Sequence, residues 1–122
     1  MFGFLKKAFK NSPFQDNYDF LAINYPKDLK LKVAKALQND VNAIVKNREN
    51  IEEVRRFLTI AIHQKNEAVS EGIASKENPN WLIAELKCNL CELIISGERL
   101  PTQSAINAMN ILFGWIDFAE RK

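Results

Sequence analysis

Residues 81 to 96, WLIAELKCNLCELIIS, leave this chain little choice of architecture. On a helix advancing about 100° per residue, the only substantial polar wedge is Glu85, Asn89 and Glu92, spaced i, i+4 and i+7, with Lys87 standing apart from it. Leu82, Ile83, Leu86, Leu90, Leu93 and Ile94 form one apolar face, and Trp81, Ala84, Cys88, Cys91 and Ile95 form a second. A helix that is apolar almost all round has to be covered by other helices on more than one side. A strand is excluded, because the run is long and does not alternate. Ser96-Gly97 ends it, glycine supplying the left-handed turn that other residues resist.

The remaining chain supplies helices to do the covering. Ser12-Pro13-Phe14-Gln15 is a helix start, with serine as cap and proline at the first helical position. Phe14, Tyr18, Leu21, Ala22 and Tyr25 share one face of that helix, and Pro26 closes it. Residues 27–46 follow, with Leu29, Val33, Leu37, Val41, Ile44 and Val45 inward. Asn50-Ile51-Glu52-Glu53 caps a long helix reaching about Ile73, with Ile51, Val54, Phe57, Leu58, Ala61, Ile62, Ala68 and Val69 as its core face. The polar run 75–80 is the longest loop, and residues 102–120 form the last helix. With residues 1–10 this predicts an all-α fold: about six helices in one compact domain spanning residues 1–122, packed around the buried helix at 81–96. A chain of 122 residues with 47% hydrophobic content can bury such a core without disulfides or metal.

The first ten residues, MFGFLKKAFK, divide on a helical wheel. Met1, Phe2, Phe4, Leu5, Ala8 and Phe9 fill one arc, and Lys6, Lys7 and Lys10 fill the other. Such a basic amphipathic helix docks on its own core, on a second chain, or on an anionic membrane surface. The last helix has a matching excess. Ala105, Ala108, Met109, Leu112, Ile116 and Ala119 are its expected core stripe, and Ile111, Trp115 and Phe118 form a second stripe beside it. Phe2, Leu5, Phe9, Ile111, Trp115 and Phe118 are therefore the candidate interaction surface, either covering one another or committed to a partner.

Charge narrows the partner classes. Lysine and arginine total 17 against 15 acidic residues, so there is no strong overall field. The basic residues concentrate early, as Lys6, Lys7, Lys10, Lys27, Lys30, Lys32 and Lys35. Those on residues 27–46 point in several directions, and no arginine occurs before Arg48 to make bidentate base contacts. A sequence-specific nucleic-acid reader is not expected. Lys6, Lys7 and Lys10 interrupt what would be the apolar core of a secretory leader, and no run approaches the roughly 20 apolar residues needed to cross a bilayer. The expected setting is cytoplasmic, peripheral to the inner face of a membrane if residues 1–10 bind lipid.

Chemistry-bearing patterns are few. Cys88-Asn89-Leu90-Cys91 is a CxxC, but the chain has no other cysteine and one histidine to complete a metal site. It also lacks the βαβ context of a redox pair. Two small apolar side chains one turn apart on a buried helix is the better account. Arg56 and His63 stand in an R-x6-H spacing beside Glu52 and Glu67. That spacing loosely resembles the arginine and histidine pair of HEPN-type ribonucleases, which are also small α-helical dimers. The resemblance covers two residues and the fold class, and it implies an RNA-cleaving role for Arg56 and His63; Phe57 stands where the family often has a polar residue. A charge ladder on a solvent face explains the same residues. No phosphate-cradling glycine loop, HExxH or GxSxG is present. No catalytic residue, metal or cofactor is expected. The expectation is a non-enzymatic protein-interaction module, an inhibitor, immunity-type or regulatory protein that masks a partner or forms a homodimer.

Overall fold

The computed structural model describes residues 12–120. They form five α-helices and no strand: α1 (Pro13–Asn24), α2 (Lys27–Lys46), α3 (Ile51–Val69), α4 (Pro79–Ser96) and α5 (Arg99–Glu120), with one 3-10 turn at Ser75–Glu77. The all-α class is as expected from the sequence. The count is one below the expected six, because the helix expected at residues 1–10 lies outside the described residues.

Each boundary has a local cause. The Ser12 hydroxyl accepts from the Gln15 backbone N–H at 3.2 Å, and Pro13 opens α1 where a missing donor costs nothing. The Asn50 side chain accepts from the Glu53 N–H at 3.2 Å to start α3. Gly97, at φ 76°, stops α4 in the left-handed conformation. The start of α4 is two residues earlier than expected. Asn78-Pro79 repeats the cap-and-proline device of Ser12-Pro13, with the Asn78 carbonyl accepting from the Asn80 N–H at 3.0 Å. Asn78 is 1% exposed, and its amide also donates to the Ala68 carbonyl at 3.2 Å and to Glu71 at 3.1 Å. One side chain thereby caps α4 and ties it to the end of α3.

α4 packs against every other α-helix, most extensively α3, while α2 and α5 also pack on each other. Leu82, Leu86, Leu90 and Cys91 are completely buried at its centre, among Phe14, Leu21, Val33, Leu37, Ile44, Val54 and Met109. α3 is covered almost wholly by α4, and its inward strip is correspondingly narrow. Val54, Ala61 and Ala68 are buried there, whereas Ile51, Ile62 and Val69, expected in the core, are 36%, 41% and 56% exposed. α3 also ends at Val69 rather than near Ile73. On α1, Asn17 is buried and Ala22 exposed, the reverse of the apolar pattern.

The polar wedge of α4 requires the main correction. Glu92 is exposed and Glu85 half-buried, but Asn89 is 7% exposed. It accepts a hydrogen bond at 2.8 Å from the amide of Asn17 on α1. Lys87 is buried as well. Its ammonium donates to the Asp40 carboxylate at 2.9 Å and to the Gln64 side-chain carbonyl at 2.7 Å, joining α4 to α2 and α3. Where neighbouring helices enclose it, its polar residues Lys87 and Asn89 have no access to solvent and are satisfied by partners on those neighbours.

Candidate functional site

The C-terminal half of α5 presents the candidate site. Leu112, Phe113 and Ile116 turn into the core, while Ile111, Trp115 and Phe118 are 62%, 40% and 72% exposed. These three recur at i, i+4 and i+7, so they form one continuous stripe along successive turns. Their neighbour is the first turn of α2. The Lys30 ammonium sits 5.2 Å from the centre of the Trp115 ring, a cation–π contact worth about 0.5–1 kcal/mol at an exposed site. Lys27, Gly114, Trp115 and Phe118 line an open depression between the two helices. Gly114 helps to hollow it: a Cβ placed there would meet nothing within 4 Å. Ile23, 80% exposed in the last turn of α1, stands just ahead of Lys27 in the chain.

The sequence-derived residues divide accordingly. Ile111, Trp115 and Phe118 lie together, with Lys27 and Lys30 beside them. Lys32 and Lys35 are exposed elsewhere on α2, about 200° and 140° round the helix from Lys30. The four lysines of α2 therefore do not share one basic face. Phe2, Leu5, Phe9, Lys6, Lys7 and Lys10 lie outside the described residues.

The other chemistry-bearing residues occupy separate places. Cys88 and Cys91 are free thiols, 1% and 0% exposed, and burial pushes their pKa values up to about 11 and about 12. Both are held as thiols at neutral pH, the form that is neither nucleophile nor metal ligand. Among the described residues no group of three His, Cys, Asp or Glu side chains converges as a metal site would need. Arg56 donates to Glu53, one turn back on α3, and that bond holds the Glu53 carboxyl below its usual range. His63 Nε2 lies 2.7 Å from Glu67 on an exposed flank. Each member of the R-x6-H pair is thus engaged with a glutamate of its own helix.

A second concavity, of about 690 Å³, lies between α2, α3 and α4, with the Lys87, Asp40 and Gln64 cluster in its wall and Glu67, Glu71 and Asn80 around it. Sequence reasoning missed this cluster. The available signal was Lys87 itself, a charge on a helix otherwise apolar at that angle, which demands an acidic partner if buried.

Comparison with known proteins gives no match: no family model, no curated protein and no solved structure matches this chain. No helix among the described residues is long and apolar enough to cross a membrane.

Proposed function

We propose that the chain is a non-enzymatic protein-interaction module, acting by masking a partner, and that the α2–α5 face is its contact surface. The observation that carries this reading is the exposure of Ile111, Trp115 and Phe118 on consecutive turns of a helix whose other side is already core. Exposed apolar residues scattered singly need no explanation, but a contiguous apolar stripe flanked by polar residues is what docking surfaces present. Tryptophan at the centre of such a surface is a typical anchor.

Trp115→Ala tests it against Ile62→Ala, a substitution of an exposed apolar residue on α3. Partners captured by the wild-type chain, quantified by mass spectrometry, are retained by Ile62→Ala and lost by Trp115→Ala. Binding measured with a captured partner weakens by about 2 kcal/mol or more, with circular dichroism unchanged. Equal capture by both variants would remove the α5 stripe from the proposal.

A second reading takes an anionic membrane surface as the partner. Lysines beside exposed aromatic residues, as Lys27 and Lys30 stand beside Trp115, are also the composition of interfacial anchors. Flotation with anionic liposomes distinguishes it. The ribonuclease reading has less to rest on, since Arg56 bonds Glu53 and His63 lies beside Glu67, each a glutamate of its own helix.

A further inference from the structure

We infer that the occupant of the α2–α5 groove is an acidic amphipathic helix of another protein, seated with apolar side chains between Trp115 and Phe118 and carboxylates over Lys27 and Lys30. This rests on the proposal that the α5 face is the contact surface, and adds the chemistry of what it contacts. Charge is the first argument. Lys27 and Lys30 border the stripe from α2. The nearest carboxylate in sequence on α5, Asp117, is about 200° round the helix from Trp115, and Asp28 is about 200° round α2 from Lys30. On its α2 side the border is therefore of one sign, while Asp117, about 100° from Phe118, lies on the flank away from α2.

The basic α2 border argues against two other occupants. In a two-fold contact of α5 with a second copy centred on Gly114, antiparallel registration sets Trp115 and Phe118 against the partner helix's Phe113 and Asn110, leaving the lysines without carboxylates. Residues 1–10 would bring Lys6, Lys7 and Lys10 to a border that is already basic. Shape is the second argument. The surface is a depression between two helices, hollowed at Gly114, and an inserted helix fills such a groove with anchors at i, i+3 or i+4, and i+7. A bilayer instead receives side chains that project from a flat or convex surface.

The test pans a library of short random peptides on the full-length protein and measures the recovered peptides against variants. Recovered sequences should carry aliphatic or aromatic residues at helical spacing with an excess of Asp and Glu. Their affinity should fall about tenfold or more for Trp115→Ala and for Lys27→Glu with Lys30→Glu, and association should slow as salt is raised. Peptides without acidic excess, or bound equally by the charge-reversed protein, overturn the inference; the contact surface itself still stands if Trp115→Ala abolishes their binding. Peptides insensitive to both changes overturn both. Recovery of no peptide above background also overturns the inference. So does binding that emerges only when residues 1–11 are deleted, which would make that segment the occupant. Binding to phosphatidylglycerol-containing vesicles that depends on Trp115, Lys27 and Lys30, without peptide binding, would give the groove to lipid.

Discussion

α4 and the second half of α5 are similarly apolar in sequence, yet they meet opposite fates. Four helices enclose α4, so even Lys87 and Asn89 are buried on it, each bonded to a side chain of a neighbour. Among the described residues α5 has neighbours on one side, and Ile111, Trp115 and Phe118 remain exposed. Burial is thus decided by how many helices surround an element and only secondarily by the residue's own polarity. On α4 that principle makes polar residues structural. On α5 it leaves large apolar residues exposed.

The comparison breaks most visibly at Leu90, which is completely buried. Leu90→Ala should destabilise the fold by about 2–5 kcal/mol in urea unfolding, the range for truncating a well-packed leucine. A loss below about 1 kcal/mol, as at a surface site, would mean that α4 is not enclosed.

Next in size are the polar residues of the same helix. Asp40→Ala leaves the Lys87 ammonium buried with only Gln64 to accept from it. Breaking a buried pair costs about 3–5 kcal/mol, but the Asp40 side chain is 50% exposed and water can partly replace it, so about 1–3 kcal/mol is expected here. Lys87→Met removes the charge and keeps the volume, and should cost under about 1 kcal/mol. If Lys87→Met is the more damaging of the two, the pair is itself a source of stability rather than a compensated burden. Asn89→Ala should cost about 1–3 kcal/mol, since it leaves the Asn17 amide without its partner. Replacing both asparagines with leucine should restore part of that loss. A silent Asn89→Ala would return Asn89 to the solvent face that the helical wheel gave it.

That wheel marks the limit of what was legible. Helix class, the caps at Ser12 and Asn50, the stop at Gly97 and the inward residues of α2 follow from local patterns, and local patterns are where the physics of capping and periodicity acts. Asn89 bonds a residue 72 positions away, and Lys87 bonds one 47 positions away. Nothing near either residue announces those partners. Ile62 failed for the same reason. Its angle on α3 is apolar, but the neighbour that would have covered it is not there. The α5 stripe was visible because excess apolarity is a local property; what covers it is not.

The smallest effect on folding is the most informative about function. Phe118 is 72% exposed and Trp115 40%, so if the stripe is open in the free protein, Phe118 contributes little to folding. Phe118→Ser should therefore shift unfolding stability by no more than about 0.5 kcal/mol in either direction, as surface substitutions usually do. Trp115→Ala should cost somewhat more, because it also removes the contact with Lys30. The measurement is an unfolding curve at several protein concentrations, with and without residues 1–11. A loss of several kcal/mol that depends on protein concentration would mean that a second copy already covers Phe118. The same loss at all concentrations, disappearing when residues 1–11 are removed, would mean that the chain covers it with its own first segment. A near-zero change in every case leaves the stripe bare until a partner arrives, which is the condition the proposed function requires.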